Sequence, residues 1–374
     1  MATLSSFLSD FSFKKISSVF QKESGFLGID IGSSSIKVVQ LKKEKERAIL
    51  QTYGELSMSG YADNGEIGKA FTVVDTKLTD ALKDVLREAQ VTVKRAAVSI
   101  PLKNSFLTTM DMPRLSDQEL KEAIPYEARK YVPIPLSEAM IDWWVMPPMS
   151  TDSAASSIGS PKRDFVSVFL AAVPKEVVEK YESILKKVGL EVSGFEIEVF
   201  SFARSAIKRD LGSVLLIDLG ASAMRLIIAD GGSVRATHNV ERGSQELSIA
   251  LAQSLGINFD RAELLKRESG ILHRPETEGV ASVLEPLVGF FASEGERFLL
   301  DWKRKGGRPI SRVVLGGGGA LLKGIVDVMI KKYGVEAEIA DPFSKVVYPA
   351  FLEPSLMDIG ATFTNAIGLA LRDF

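Results

Sequence analysis

Two stretches of the chain repeat one pattern, in which an apolar strand, a turn of small residues and a second apolar strand follow one another. The first covers Phe26–Leu41 and the second covers Val214–Ala229. Two apolar runs joined by so short a turn are typical of a β-hairpin. When the stretches are laid on one another, Asp218 falls on Asp30. An internal repeat of this kind predicts two halves of related fold that face each other.

Between the two hairpins, the periodicity changes to mixed helix and strand. A strand over Ser105–Met112 is followed by a capping box at Ser116 that begins a helix, then by two strands and a second helix that ends near Val188. We interpret residues 105–189 as a compact module inserted into the first half. The proline, serine and alanine content of residues 147–161 predicts a mobile loop within it.

The whole pattern predicts an α/β protein with five parts. These are a flexible N-terminal arm at 1–24, a first half at 25–104 that is completed by 190–212 and 358–374, the inserted module, a second half at 213–240 and 310–357, and a helical subdomain at 241–309. In the second half, a strand over Arg312–Leu315 leads into a glycine run and a helix over Leu321–Lys332. The last predicted helix passes through Ile367–Leu371.

The amino-acid composition excludes several classes of protein and of functional site. A chain of 374 residues with 45% hydrophobic and 25% charged residues is typical of a globular protein with about two or three domains. Its net charge of −2 gives no basic footprint for nucleic acid. The absence of cysteine excludes disulfides, thiolate metal sites and cysteine nucleophiles, and it fits a cytoplasmic location. Two histidines are too few for a histidine-rich metal site.

The N-terminal residues do not have the composition of a signal peptide, and no apolar run approaches the about 20 residues that span a bilayer. Leu4, Phe7, Leu8 and Phe11 have helical spacing, which is compatible with a short amphipathic helix that touches a membrane or a partner. A frayed arm is the simpler interpretation.

The turn from Asp30 to Lys37 contains the residue types that bind phosphate. Gly32, Ser33 and Ser34 offer backbone N–H groups and hydroxyls, and Lys37 offers a cation. Asp30 ends the entering strand and repels a bare phosphate, so its expected role is to hold hydrated Mg²⁺. The alternative is a plain hairpin with a Gly-Ser turn.

Two later elements support the phosphate interpretation. A second Asp-x-Gly turn at Asp218–Ser222 would place a second carboxylate across a cleft, and Mg²⁺ provides the counter-ion that two close carboxylates need. The glycine run Gly316–Gly319 lies between a strand and a helix, where a flat ring can lie on the backbone and the helix N-terminus favours phosphate. The run lacks the context of a dinucleotide fingerprint, and it lacks the Gly-Lys-Ser/Thr of a P-loop.

Together, these three elements resemble the actin/Hsp70/sugar-kinase ATPase superfamily, whose two halves have a ribonuclease H-like fold. Within it, the chain most closely resembles the PilM family of type IV pilus assembly, which is similar to the division protein FtsA. The residues that carry this resemblance are Leu27–Val39, Met112–Pro133 and Ile367–Arg372. It extends from about Gly25 to the C-terminus. The inserted module lies where this family, like FtsA, has its 1C subdomain.

The resemblance implies ATP and Mg²⁺ as ligands in a cleft between the halves, and it assigns a role to each matching residue. Asp30 and Asp218 are the implied Mg²⁺ pair; Gly32, Ser33, Ser34 and Lys37 are the first phosphate loop; Gly220, Ala221 and Ser222 are the second; Gly317, Gly318 and Gly319 are the adenosine loop; Glu263 and Lys266 border ribose and adenine. Glu263 and Lys266 are one helical turn apart, so a solvated charge pair is the alternative for them.

For hydrolysis, the resemblance points to Glu198, on the segment that joins the halves. A carboxylate there could act as a general base through one water. Val199 occupies a position where relatives often have proline, so Glu196 is a second candidate. A surface glutamate at a strand end is the alternative.

The function implied by the resemblance is that of a cytoplasmic ATP-binding scaffold of type IV pilus assembly, with weak or no ATPase activity. In the PilM family, the partner is the short cytoplasmic N-terminus of the inner-membrane protein PilN. An extended peptide of that kind would bind in a groove or add as a strand, and would bring the scaffold to the inner membrane. Other pilus inner-membrane components and a second copy of the chain are further expected partners.

Three other functions remain open. A type II secretion component has a similar architecture. A small-molecule kinase of the same superfamily needs a deep acceptor site with a base, and the inserted module shows no such polar cluster. An FtsA-like division protein usually ends in a linker and an amphipathic membrane helix, whereas this sequence ends at Phe374, soon after its last core helix. These features favour the pilus protein.

Overall fold

The computed structural model describes residues 25–61, 68–70, 74–147, 165–208 and 212–374. The predicted N-terminal arm and nearly all of the predicted loop at 147–161 lie outside these residues. Within the described residues, the strands form two five-stranded sheets and one three-stranded sheet.

The strands follow the predicted pattern closely. They are β1 (Gly25–Ile31), β2 (Ser35–Glu44), β3 (Arg47–Ser57), β4 (Arg95–Ile100), β5 (Phe106–Pro113), β6 (Ala139–Val145), β7 (Phe165–Pro174), β8 (Glu191–Ile197), β9 (Ser213–Leu219), β10 (Met224–Asp230), β11 (Ser233–Val240), β12 (Ile310–Gly316) and β13 (Glu336–Ile339). The described helices are α1 (Asp75–Glu88), α2 (Asp117–Ala128), α3 (Lys175–Lys187), α4 (Glu198–Ala206), α5 (Gln245–Leu255), α6 (Phe259–Ser269), α7 (Glu278–Arg304), α8 (Ile325–Tyr333), α9 (Glu353–Ile359) and α10 (Thr364–Ala370).

The two large sheets have the same topology. The first has the order β3-β2-β1-β4-β8 and the second has the order β11-β10-β9-β12-β13. In each, the hairpin and its third strand pair antiparallel, and the two remaining strands pair parallel. The predicted duplication of an α/β half is therefore confirmed.

The third sheet belongs to the inserted module and has the antiparallel order β5-β7-β6. Helix α2 packs on it, and the two bury a small core that includes Met110, Leu120, Ile124 and Leu170. The predicted capping box is present: the Ser116 hydroxyl accepts from the α2 backbone, while the Glu119 carboxylate accepts from the Ser116 N–H at 2.8 Å. This pair satisfies N–H groups that a helix start leaves unpaired.

Helix α3, which the sequence pattern assigns to the inserted module, packs on the first sheet as well as on β7 of the module. Its buried residues Val178, Tyr181 and Ile184 belong to the same core as Leu82 of α1. The reason lies in the connection, because α3 links β4 to its parallel neighbour β8 and a parallel pair needs a crossover helix. The module is therefore inserted between β4 and its crossover helix.

The chain also returns to the first half earlier than predicted. Phe343, Val346 and Leu356 pack with Val39 and Leu41 on the first sheet, although these residues were assigned to the second half. The Val347 N–H also donates to the Ala48 carbonyl at 2.8 Å. The chain therefore crosses back to the first half directly after β13, because the apolar side chains that follow β13 are buried on the first sheet.

Helices α4 and α10 lie together against the first sheet, where they approach its backbone closely. A methyl group added at Gly28 of β1 would overlap the Ala366 carbonyl of α10, and one added at Gly368 of α10 would overlap the Ser201 carbonyl of α4. Glycine permits this approach because it has no Cβ. The contact carries Asn365 of α10 to the cleft between the halves.

The helix predicted over Leu321–Lys332 begins later, at Ile325. Residues Gly318–Leu321 form a short 3-10 turn, and Gly324 has a φ of 89°, which stops the turn from continuing into the helix. Among the described residues, none of the helices combines the length and the apolar character that crossing a membrane requires.

Candidate functional site

The two hairpin turns face one another at the centre of the molecule. Each has the same backbone closure, since Gly32 N–H donates to the Ser35 carbonyl at 3.0 Å and Gly220 N–H donates to the Ala223 carbonyl at 3.0 Å. The Ser222 hydroxyl lies 2.9 Å from the Ser33 hydroxyl across the gap. The turns thus form the floor of a cleft between the two halves.

The cleft has a volume of about 550 Å³, which is in the range of small-molecule pockets. The structure brings to this cleft every residue predicted to bind the metal, the phosphates or the nucleoside, together with Glu198, the first candidate for hydrolysis. They are Asp30, Gly32, Ser33, Ser34, Lys37, Glu198, Asp218, Gly220, Ala221, Ser222, Glu263, Lys266, Gly317, Gly318 and Gly319. Glu196, the second candidate for hydrolysis, is not among the lining residues.

On the first side of the cleft, Lys37 pairs with Glu55 rather than with Asp30. The Lys37 ammonium lies 3.2 Å from the Glu55 carboxylate and donates to the Ser35 hydroxyl at 2.6 Å. Burial raises the pKa of Glu55, but Lys37, the Ser35 hydroxyl and Arg267 together outweigh burial, and the net pKa lies below the usual value. Asp30 accepts instead from the Ser99 hydroxyl at 2.8 Å.

On the second side, Arg225 joins two buried carboxylates. Its Nε lies 2.7 Å from Glu198 Oε1, and its Nη1 lies 3.4 Å from Asp218 Oδ2. Asp218 Oδ2 also accepts from the Asn365 amide at 3.4 Å. Burial raises the pKa of Asp218, and the Arg225 guanidinium opposes that shift. Arg225 thereby supplies the positive counter-charge for two carboxylates that are both buried away from water.

Glu198 begins α4 at the edge of the cleft and is only 5% exposed, so the alternative of a surface glutamate at a strand end is wrong. Its Oε1 accepts from the Leu102 N–H at 2.6 Å. Burial raises the pKa of Glu198 to about 7, despite the opposing charge of Arg225. A carboxyl group with such a pKa can exchange a proton near neutral pH.

Glu196 is not a candidate for hydrolysis. It is 1% exposed and forms ion pairs with Arg204 at 2.9 Å and Arg372 at 3.9 Å, behind the cleft. The two glutamates point to different places because β8 ends at Ile197 and Glu198 already belongs to a helix.

The glycine run passes directly over Asp218. Gly317 has a φ of 78°, and its N–H donates to the Ala361 carbonyl at 2.8 Å. A Cβ at this residue would lie 2.5 Å from Asp218 Oδ1, whereas one at Gly318 would meet no atom within 4 Å. Gly317 therefore allows the loop to approach the carboxylate, and Gly318 faces open space.

Glu263 and Lys266 form a buried pair at the far end of the cleft. They are 5% and 7% exposed, and the Lys266 ammonium lies 2.6 Å from the Glu263 carboxylate. Glu263 also accepts from Ser248 at 2.5 Å and from Arg267 at 2.7 Å. The alternative of a solvated charge pair is therefore wrong. Burial lowers the pKa of Lys266, with Glu263 acting against it.

The donor set fits a hydrated Mg²⁺ that is completed by a phosphate ligand. No cluster of three or more acidic or histidine residues within the described ranges could hold a metal ion alone. Mg²⁺ does not require one, because it keeps several waters and is usually bound by one or two carboxylates together with substrate phosphates. Asp30 and Asp218 offer hard oxygen ligands at the ends of equivalent strands, and the glycine at 317 leaves room beside Asp218 Oδ1.

Several cleft residues were not selected from the sequence. Arg225 could have been found, because it lies seven residues after Asp218 just as Lys37 lies seven after Asp30. Glu55 and Asn365 carried no local signal, since each reaches the cleft through the packing of a separate element. The same holds for Ser99, which is buried outside the lining and donates to Asp30.

Comparison with known proteins supports this architecture. The family model described as type IV pilus assembly protein PilM matches residues 28–374. The chain is 22% identical over 362 residues to the cell division protein FtsA of Streptococcus pneumoniae serotype 2 (strain D39 / NCTC 7466), and this match covers 86% of the chain and 76% of FtsA.

Solved structures show the same fold. The PilM-PilN type IV pilus biogenesis complex is similar with a TM-score of 0.73 and 23% identity, over 92% of this chain and 97% of that one. MreB5 of Spiroplasma citri bound to ADP is similar with a TM-score of 0.52 and 12% identity, over 92% and 95% of the two chains. The fold is thus that of actin-like ATPases. With the family model matching nearly its whole length, the chain belongs to the PilM family of type IV pilus assembly proteins.

Proposed function

We propose that this protein binds Mg-ATP in the cleft and serves as a cytoplasmic scaffold of type IV pilus assembly. The observation that carries the nucleotide part is the pair of equivalent Asp-x-Gly turns, whose serine hydroxyls meet at 2.9 Å with Asp30 and Asp218 behind them. Backbone N–H groups and hydroxyls at such turns bind phosphate, and the carboxylates attract the metal of a metal–phosphate ligand.

In this proposal, each part of the cleft has one task. The two turns and Lys37 hold the phosphates, and Asp30 and Asp218 hold Mg²⁺ through its waters. The loop at Gly317–Gly319 and the Glu263–Lys266 pair border the nucleoside. Glu198 is the candidate general base, and its ion pair with Arg225 and the hydrogen bond it accepts from the Leu102 N–H fix its position. Mg²⁺ would neutralise phosphate charge when bound.

Equilibrium binding of a fluorescent ATP analogue, with and without Mg²⁺, tests the nucleotide proposal. Asp30→Ala should abolish the Mg²⁺-dependent binding, because half of the carboxylate pair is lost. Asp301→Ala is the matched control, since Asp301 is exposed on α7 and pairs only with Arg304 among the contacts described. Unchanged binding in Asp30→Ala would overturn the proposal.

The partner in this proposal is a PilN-like inner-membrane protein, recognised through its short cytoplasmic N-terminal peptide. The comparison supports it, because the solved structure with a TM-score of 0.73 is a PilM-PilN complex. The inserted module also offers suitable features. Strands β5 and β6 are the edges of its described sheet, and Tyr126 and Phe165 are 68% and 59% exposed. An edge strand and exposed aromatic rings can take an extended peptide. This contact would hold the protein at the inner membrane.

Calorimetric titration with a synthetic peptide of the PilN-like N-terminus tests the partner. Phe165→Asp should weaken peptide binding by tenfold or more, since it puts a charge on an apolar contact. Val74→Asp is the control, because Val74 is similarly exposed at 63% but lies outside the module. Equal binding by the wild type and Phe165→Asp would exclude this surface.

The similarity to the cell division protein FtsA favours a second candidate, a cell-division protein. Sedimentation with ATP and vesicles separates the two functions. Robust ATP-dependent polymers on vesicles, without peptide binding, would favour the division-type function. Turnover that depends on an added sugar would instead favour a small-molecule kinase.

A further inference from the structure

The two halves place equivalent rows of polar residues along the walls of the cleft. In the first sheet, the paired positions across three strands are Asp30, Lys37 and Glu55. In the second sheet, the equivalent positions are Asp218, Arg225 and Asn239. Each row thus begins with an acid at the end of the central strand and continues with a cation, but the third residue is an acid in one row and an uncharged amide in the other.

This difference changes what each cation can do. The Lys37 ammonium lies 3.2 Å from the Glu55 carboxylate, so its positive charge is paired with Glu55 rather than with Asp30. Asn239 offers no charge to Arg225, and Asn239 Oδ1 is buried without a hydrogen-bond partner among the described residues. Arg225 turns the other way and bridges Asp218 and Glu198.

We propose that Arg225 is an internal counter-ion that competes with a divalent cation for Asp218, so that Arg225 weakens metal binding in the second half of the cleft. The inference rests on the proposed Mg-ATP function, and it names Arg225 as the residue that lowers the metal affinity of that site. Lys37 is not part of this bridge, because its ion-pair partner is Glu55 at 3.2 Å.

The physical basis is the strength of charge interactions between buried side chains. Arg225 Nη1 lies 3.4 Å from Asp218 Oδ2, and both side chains are largely buried. A positive charge so close lowers the attraction of the carboxylate for another cation. A metal that binds Asp218 must therefore overcome the guanidinium, and removal of the guanidinium should strengthen metal binding.

The test uses Mg²⁺ alone as the probe and follows the thermal unfolding temperature of the full chain during a MgCl₂ titration. In Arg225→Gln, the half-saturating Mg²⁺ concentration should fall roughly tenfold relative to wild type, because the competing charge is gone. Adding Asp218→Asn to this variant should remove the response. Arg304→Gln is the matched control, because it removes an exposed guanidinium that pairs with Asp301 on α7 outside the cleft, and it should leave the half-saturating concentration within about twofold of wild type.

Arg225→Lys covers the case in which Arg225→Gln does not fold. It keeps the charge, but a single ammonium group cannot bridge both carboxylates as the guanidinium does. A fall of about threefold is expected. A wild-type Mg²⁺ response in whichever of the two variants fold would overturn the proposal, as would a strengthened response that persists after Asp218→Asn.

A parallel ATP-binding measurement separates this proposal from the proposed function. If the wild type does not bind ATP at any Mg²⁺ concentration, the nucleotide proposal fails, while the titration with Mg²⁺ alone still decides the role of Arg225. If Arg225→Gln loses ATP binding and its Mg²⁺ response equals that of wild type, Arg225 is a phosphate ligand and the counter-ion proposal is wrong.

Discussion

Two adjacent glycines in the run Gly316–Gly319 should respond very differently to substitution by alanine. At Gly317, the backbone φ of 78° costs an L-residue roughly 1 kcal/mol, and the new Cβ would lie 2.5 Å from Asp218 Oδ1 and 2.7 Å from the Leu219 carbonyl. Overpacking of this kind costs about 1–3 kcal/mol. The loop cannot move away freely, because the Gly317 N–H is bonded to Ala361. We therefore expect Gly317→Ala to lower the free energy of unfolding by about 2–4 kcal/mol.

Gly318→Ala is the matched control one residue away. A Cβ there meets no heavy atom within 4 Å and needs no positive φ, so the unfolding free energy should stay within about 0.5 kcal/mol of wild type. Urea unfolding followed by circular dichroism measures both variants, and equal slopes make their midpoints comparable. Equal losses in the two variants, or a wild-type midpoint in Gly317→Ala, would refute the reasoning from loop geometry. A selective loss of ATP affinity in Gly318→Ala would in turn place the nucleoside against Gly318.

Three further predictions concern the rest of the cleft. Burial raises the pKa of Glu198 to about 7, and a general base must be deprotonated, so the rate of any phosphate release from ATP should rise with pH through about 7. Glu198→Gln should abolish this pH dependence. A flat pH profile in the wild type would exclude Glu198 as the base. Glu263→Gln leaves Lys266 buried without its anion and should cost about 3 kcal/mol of unfolding free energy, whereas Asp80→Asn in an exposed pair should cost less than about 0.5 kcal/mol; similar losses would contradict this difference. A double-mutant cycle of Ser33→Ala and Ser222→Ala should give a coupling energy of about 1 kcal/mol in the free protein, and additive effects would show that the hydroxyl contact contributes nothing.

The two hairpins and their turns could be predicted because the signals are local. Alternation of apolar and polar residues determines a strand, small residues with glycine permit the turn, and the repetition of Asp-x-Gly indicated two equivalent halves. Asp30 and Asp218 could be assigned to one cleft for the same reason. The capping box at Ser116 is equally local, and the structure contains it.

The boundaries between the two halves and the inserted module depend on tertiary packing, which the sequence does not state. Helix α3 and the residues after β13 have ordinary amphipathic sequences, and nothing in their composition states which sheet they cover. Only the tertiary structure decided that Val178 and Phe343 are both buried against the first sheet. A hydrophobic face drives burial in proportion to its area, but its sequence does not identify the surface that will cover it.

The charged residues of the cleft show most clearly what the sequence determines and what only the tertiary structure determines. The sequence by itself determined that the acids Asp30 and Asp218 stand at equivalent places in two turns. The tertiary structure alone decided that Lys37 pairs with Glu55, that Arg225 bridges Asp218 and Glu198, and that Glu198 is buried while Glu196 lies behind the cleft. The physical reason is that the effect of a charge depends on its distance to other charges and on its loss of water, and both are set by residues far apart in the chain.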